Sequence, residues 1–467
     1  MTATGSDIPE IWRERIPLIT PAAWRGLKRV LQHPSAPRYN RTIGDRVGEA
    51  EMEGLAAFRQ LLQARPALEA DAAPSSAMTD WLEALRERVL HLQALPRGFD
   101  LARDFERIPA TSREDITRHL EQLVPHDADL EPAVVYSTSG TTGHPVIIPS
   151  HAGAMVKNLA HLELLAALHG AGAEPREGEP FMLNVSAQQR TYVFATAMSG
   201  LRGAVFTKLN LSLHDWAGGA AARAHFIDEY AAPWVASEPL TMAEMVRLGL
   251  PFRPRMIVSS AVELSAELSE RVAAALGTKV VDLYSSTETG PIAASVPELL
   301  GKHVVLLPDV FVEALGEDDR RVPDGELGEI TVTGGRNPYL PLIRYRTGDH
   351  GRLSSVTLPD GRRARAISGL SGRAPVRFEA HDGRPVSSVD VARSIRPISP
   401  FVQQRFVQRA DRSVELRLRP LPSVPIAVEA MEQVLREIFG KDASIAVVID
   451  EQLGAEGGKV RPWISEL

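Results

Sequence analysis

The chain contains no cysteine among its 467 residues. That absence removes disulfides, thiolate metal sites and covalent thiol catalysis together, without fixing a compartment. No apolar run is long enough to span a bilayer. The first residues, Met1 to Glu10, have no basic stretch followed by an apolar one, so no signal peptide is expected. A positive surplus is lacking too: 52 Lys and Arg against 59 Asp and Glu leave a net charge of −7, which gives no general attraction to nucleic acid or to an anionic membrane. The charges are interspersed, without a basic or acidic tail. Internal repeats and low-complexity tracts are missing. Thirteen histidines are present, but His151, His161 and His169 lack the i, i+4 pairing that zinc favours. These exclusions predict a cytoplasmic protein that acts on small molecules, with no nucleic acid and no membrane among its partners.

What is there suits a folded enzyme. Hydrophobic residues make up 44 % of the chain, enough for a buried core, and the length suits one large and one small domain or a few more. A helical lead-in covers about 1–130, with apolar residues at helical spacing over Glu49–Arg65 and Met78–Leu95. From Ala133 onward, short β-rich runs (AVVYS, VIIPS, AVFTKL, RMIVSS, KVVDLYS) alternate with amphipathic stretches such as Gly153–His169 and Ala261–Leu276. That alternation predicts an α/β domain with a mainly parallel sheet. Residues Gly316 to Asp360 read as a β-rich subdomain. The run SGLSGRAP after Ile367 suits a linker, so the large domain is expected over 1–370 and a small α+β domain over 371–467.

Three polar segments interrupt the apolar pattern. The first follows a strand and reads Ser137-Thr138-Ser139-Gly140-Thr141-Thr142-Gly143. Its glycines let backbone N–H groups turn inward and its hydroxyls add donors, so it can cradle a polyphosphate without charge of its own. It is not a Walker loop, and composition alone leaves a plain polar hairpin open. The second, Tyr284-Ser285-Ser286-Thr287-Glu288, lies where a strand is expected to end, the usual place for ligands in an open parallel sheet. A carboxylate there can hold Mg²⁺ beside phosphate oxygens, although a solvated turn fits the short string equally. The third, Thr347-Gly348-Asp349, reads as a tight turn presenting one carboxylate, which can accept from two ribose hydroxyls. Near the end, Gly457-Gly458-Lys459 places an ammonium on a flexible loop.

Taken in order, these strings closely resemble the adenylate-forming (acyl-CoA synthetase and adenylation-domain) superfamily, in particular its phenylacetate–CoA ligase branch. The strings STSGTTG, YSSTETGP and LPLIRYRTGD carry the likeness, which covers roughly residues 100–467. The resemblance implies an ATP-dependent ligase that forms an acyl-AMP from a small, aromatic carboxylic acid, releases pyrophosphate and passes the acyl group to a thiol, CoA in this branch. A carrier protein, an amine, or nitrite activation for diazotisation are the alternatives. It implies that Ser137 to Gly143 grip the phosphates, that Tyr284 and Ser285 lie by the adenine, and that Asp349 and Arg373 reach the ribose. Thr287 then lies by the α-phosphate, Glu288 on Mg²⁺, and Lys459 serves as the adenylation lysine. Two positions depart from the family. His144 stands where many relatives have lysine by the proline, and Pro375 stands at the hinge where an Asp or Lys is usual. Homo-oligomerisation is left open. Arg344 and Arg346 are expected to pair with nearby acids, and Tyr192, Phe194 and Met198 to pack in the core rather than line a pocket.

Overall fold

A computed structural model describes residues 8–63, 74–138, 146–188, 191–305, 309–358, 361–371, 376–455 and 460–467. The chain makes a first hairpin from β1 (Val134–Thr138) and β2 (Val146–Ser150). The next strands are β3 (Pro180–Ser186), β4 (Phe194–Met198), β5 (Ala204–Asn210), β6 (Trp234–Ser237), β7 (Met256–Ser259) and β8 (Lys279–Ser286). They are followed by β9 (Gly290–Ser295), β10 (Lys302–Val305), β11 (Val310–Leu315), β12 (Leu327–Gly334), β13 (Leu342–Thr357) and β14 (Arg363–Ser371). From β3 on they form one 12-stranded sheet in the order β11-β12-β13-β14-β10-β9-β8-β7-β6-β3-β5-β4.

The sheet has two halves of different logic. From β5 across β3, β6 and β7 to β8 every pairing is parallel; from β8 to β11 every pairing is antiparallel. Parallel strands need crossovers, and the helices Gly219–Tyr230, Pro239–Arg247 and Ala266–Leu276 supply them. All three bury their apolar stripes in one core, with Phe226, Met242 and Val272. The opposite face is covered by helices Glu49–Gln63 and Ala152–Leu168 through Leu55, Phe58, Leu159 and Leu165. Both faces being covered explains why β7 is buried along its whole length. The α/β expectation therefore holds, with an antiparallel half that the periodicity did not resolve into one sheet. Among the described residues, no helix is long and apolar enough to cross a membrane.

The lead-in differs in detail from expectation. Instead of one helix over Met78–Leu95, there are two, Ser76–Leu85 and Leu90–Gln93, with Val89 extended between them. The break lets Leu82, Leu85, Val89 and Leu92 all point into one small core with Leu101, Phe105, Ile108 and Ile343. Leu370, the expected boundary, lies inside β14, which stays paired with β13 as far as Ser371. Beyond it, β15 (Arg377–Glu379) and β16 (Pro385–Ser387) form a hairpin, and β17 (Phe401–Gln408), β18 (Val414–Pro420), β19 (Ile445–Ile449) and β20 (Trp463–Ser465) form a small sheet. The helices Ser388–Ile395 and Val428–Phe439 close over it around Phe378, Phe406, Leu416 and Phe439. Arg396 pairs with Glu263 at 2.6 Å, and Leu421 reaches into the crossover-helix core.

One arginine ties the lead-in to the antiparallel half. Arg344 and Glu313 lie 3.2 Å apart with side chains only 1 % and 0 % exposed. Burial pushes the Glu313 carboxyl up from its ordinary value, and the guanidinium opposes that. The same guanidinium donates to the carbonyls of Glu106 (2.5 Å), Ile108 (2.8 Å) and Asp319 (2.9 Å). Arg344 sits at φ 44°, where β13 carries one more residue than β12 between Val332 and Gly334. The bulge turns the guanidinium toward all these acceptors. Replacing Arg344 by Met should leave a buried carboxyl unpaired and lower stability by about 3–5 kcal/mol. Arg344→Met/Glu313→Leu should recover at least about 1 kcal/mol relative to the sum of the single losses. Urea unfolding of the singles and the double checks this; strict additivity would deny the pair its role.

Candidate active site

The Thr-Glu segment is the loop of the β8–β9 hairpin. Ser286 pairs with Gly290, leaving Thr287, Glu288 and Thr289 between them. Gly290 adopts φ +67°, the left-handed residue that a three-residue hairpin loop needs. Ser286 and Thr289 close the loop reciprocally: the Thr289 amide donates to Ser286 Oγ at 3.1 Å, and the Ser286 amide to Thr289 Oγ1 at 3.3 Å. Thr287 is left exposed at the tip while Glu288 turns inward.

Thr347-Gly348-Asp349 is not a turn between elements. It is a bulge in β13, which spends two extra residues between its partners of Glu329 and Thr331 on β12. Gly348, at φ +82°, makes the bulge possible, and its amide donates to Glu329 Oε1 at 2.9 Å. Thr347 Oγ1 donates to the Ile330 carbonyl at 2.7 Å and accepts from the Asp349 amide at 3.1 Å. The bulge brings Asp349 to Tyr284: the phenol lies 3.0 Å from Asp349 Oδ2 and 3.1 Å from Thr347 Oγ1. Two strings 65 residues apart thus meet in one hydrogen bond.

Glu288 points into a second contact. Its carboxylate is 5 % exposed and lies 3.0 Å from an Arg113 guanidinium nitrogen. The Tyr345 hydroxyl hydrogen-bonds it as well. Burial pushes the Tyr345 and Tyr284 phenols well above their ordinary range, so both remain donors to carboxylates at neutral pH. Arg113 opens the helix Arg113–Arg118, whose N-terminus is fixed by a capping box: the Asp115 amide donates to Ser112 Oγ and the Ser112 amide to the Asp115 carboxylate. Thr111, just before, pairs with β13 beside Tyr345.

Two adjacent side chains brace the site from beneath. Arg336 forks onto Asp309 (2.5 and 2.8 Å) and donates to the Thr289 and Pro291 carbonyls on either side of Gly290. It also donates to His161 at 3.3 Å. Asn337 donates to the Pro149 carbonyl of β2 at 2.7 Å. β2 in turn packs Val146 and Ile148 against Ile116, Leu342 and Tyr345. The root of the first hairpin therefore stands beside the Glu288 contact.

Of the residues singled out from the sequence, the structure gathers Tyr284, Ser285, Thr287, Glu288 and Asp349. Ser137 and Thr138 are placed as backbone in β1, paired to Ile147 and Val146. Ser139, Gly140, Thr141, Thr142, Gly143, His144, Arg373, Pro375 and Lys459 lie outside the described residues. Arg344 and Arg346 do pair with acids, Arg346 with Glu329 at 2.8 Å. The Tyr192 cluster splits: Met198 packs against the core under Ala152–Leu168 as expected, Phe194 is half-buried, and Tyr192 is 55 % exposed with Arg41 over its ring. His33, His225 and Glu229 bring ligand atoms within 4.8 Å of one another, but the Ser35 amide donates to His33 Nδ1 at 3.1 Å, which leaves His33 Nε2 to donate to Glu229. Arg113 and Arg336 were missed. The capping pattern Ser112-x-x-Asp115 marks Arg113's helix, but nothing local marks its partner, 175 residues away.

The comparisons bear on this arrangement. A family model described as AMP-binding enzyme matches residues 56–337. The chain is 28 % identical over 299 residues to a phenylacetate-coenzyme A ligase of Thermus thermophilus, which spans 60 % of this chain and 63 % of that protein. It is 25 % identical over 292 residues to the phenylacetate-coenzyme A ligase of Escherichia coli, spanning 59 % and 64 %. The matched stretches thus span just under two thirds of those relatives. A solved 2-hydroxyisobutyryl-CoA ligase in the postadenylation state, in complex with 2-HIB-AMP, superposes with a TM-score of 0.59 at 18 % identity, covering 89 % of this chain and 90 % of that one; at such identity the likeness is one of fold. The family match runs from the helices over the sheet, through every parallel strand and the Thr-Glu hairpin, to the paired braces Arg336 and Asn337. On that match the chain belongs to the AMP-binding enzyme family.

Proposed function

We propose that the protein uses ATP to activate a small carboxylic acid as its acyl-AMP, releases pyrophosphate, and transfers the acyl group to the CoA thiol. One observation carries the reading: the contact of Tyr284 with Asp349 and Thr347, set beside the inward Glu288. It sets a ribose acceptor from the β13 bulge beside an aromatic wall and a carboxylate at the carboxyl end of β8, where open sheets hold nucleotides. Asp349 accepts the ribose hydroxyls, and the Tyr284 donor keeps that carboxylate oriented. The loop 137–143, rooted on β1 and β2, holds the outer phosphates. Glu288 would hold Mg²⁺; its hard oxygen donors fit that ion, and Arg113 holds the carboxylate in place. When bound, the ion adds positive charge beside the phosphates. Residues 1–370 act as the body and 371–467 as the lid that carries Lys459 toward the α-phosphate, with Arg373 at the hinge. The chemistry is positioning and charge stabilisation, with no covalent enzyme intermediate required. Pyrophosphate exchange across a panel of carboxylic acids, with and without CoA, tests the whole reading. Exchange that depends on an acid supports it, and a CoA-dependent release of AMP separates the CoA acceptor from a carrier-protein thiol or an amine.

Two variants test the parts. Lys459→Ala should lose acyl-AMP formation by about 10²–10³ in rate, yet still transfer the acyl group from supplied acyl-AMP. Equal loss of both half-reactions in single-turnover assays would remove Lys459 from its adenylation role.

Glu288→Gln keeps the size of the side chain and removes its charge. The Mg²⁺ needed for half-maximal exchange should rise at least about tenfold, the lower range of what is lost when even an outer partner of a metal ligand goes. An unchanged Mg²⁺ titration would place Glu288 outside the metal site.

A further inference from the structure

The two faces of the parallel strands are buried unequally. Toward the crossover helices, Leu183, Val185, Val205, Thr207 and Leu209 are 0–2 % exposed. On the opposite face, under the helix Ala152–Leu168, Asn184, Phe194, Phe206, Lys208 and Ala236 are only half-buried. Most of them sit on interior strands, where a closed core would be expected. A half-open face inside a sheet is a groove. It lies toward the carboxyl ends of β3 and β5, and β3 is where strand order reverses: the chain leaves β3 for β4 and β5 on one side and returns to β6 on the other. Crevices at such reversals are the preferred ligand sites of open α/β sheets.

Lys208 stands out in this groove. Register places it directly across from Asn184 on β3 and from Phe194 on β4, and Asn184 across from Ala236 on β6. Phe206, two residues earlier on the same strand, shares its face and packs against the core under Ala152–Leu168. Burial holds the ammonium below the ordinary lysine range, and no charged neighbour contributes. Among the described residues it has no carboxylate and no hydrogen-bond partner. A cation drawn partly out of water without a counter-ion is unfavourable, and an anion brought by a ligand would offset that.

We propose that Lys208 reads the far end of the acid: the groove takes an acid with a second anionic group, a carboxylate in the simplest case, which pairs with the Lys208 ammonium. Asn184 offers a hydrogen bond beside it, Phe206 shares its strand face, and Phe194, on the edge strand β4, backs the ammonium from the far side. This rests on the acid-activating reading of the neighbouring site. β5 lies four strands from β8, roughly 19 Å at ordinary strand spacing. The second charge therefore belongs at the distal end of an extended or aromatic body, not next to the reacting carboxylate.

The experiment is pyrophosphate exchange with matched pairs, the second long enough for that span: phenylacetate against 4-carboxyphenylacetate, and decanoate against sebacate. In each pair or in one of them, the wild type should favour the diacid by about tenfold or more in kcat/KM, as close charge pairs allow. Lys208→Met should abolish or reverse that preference, and Lys208→Arg should keep it. A purely structural role for Lys208 would lower all rates alike and leave the ratio unmoved. A wild-type preference for both monoacids, or a Lys208→Met ratio equal to the wild type's, would overturn the assignment while leaving acid activation intact. Exchange with no acid at all would sink the activation reading and this one with it. Because the wild-type ratio alone can refute the proposal, it stands or falls even if the Met variant does not fold.

Discussion

The candidate site depends on one guanidinium more than on any of the residues that would touch a ligand. Arg336 is anchored on Asp309 and holds both carbonyls that flank Gly290, so it sets the position of the hairpin loop that carries Glu288. Its neighbour Asn337 does the same for β2 through Pro149. Successive residues of one chain segment therefore fix the spacing between the Thr-Glu hairpin and the first hairpin. A buried arginine suits this task because its planar fork satisfies several acceptors at fixed angles while remaining charged. Without such a brace, two hairpins from distant parts of the sequence would have no common reference.

The sheet divides its labour along the same line. The antiparallel half, with its β13 bulge and its long strands, supplies the carboxylates and phenols of the proposed nucleotide site. The parallel half carries the half-buried, paired Asn184 and Lys208 of the proposed acid pocket. β8 belongs to both: it is the last parallel strand and the first to pair antiparallel. Tyr284 sits near its end, where both halves come within reach of one small ligand.

Much of this was legible in the residues, and the rest was hidden for identifiable reasons. The alternation of apolar runs and amphipathic stretches gave the parallel half because each strand and helix has a local period. Tyr284, Glu288 and Asp349 stood out because they interrupt apolar strands with unusual strings. The bulge nature of Thr347 to Asp349 did not, since it depends on how many residues β12 places opposite β13. Arg113 and Arg336 were invisible for a related reason. Both act through partners far away in sequence, and an arginine among charges looks the same whether it is solvated or buried. Lys208 carries no marking string around it; only register puts it on a half-open face of the sheet.

The Arg344 contacts carry a kinetic consequence. The carbonyls of Glu106 and Ile108 lie 238 and 236 residues from the arginine that binds them. Closing so long a span sacrifices much chain entropy before any contact compensates it. During synthesis from the N-terminus, the segment around Phe105 emerges long before β13 exists. Its apolar side chains, Leu101, Phe105 and Ile108, must wait for Ile343 and Phe311 to complete their core. Folding of this corner is therefore among the latest events, in keeping with the slow assembly of topologies built on distant contacts.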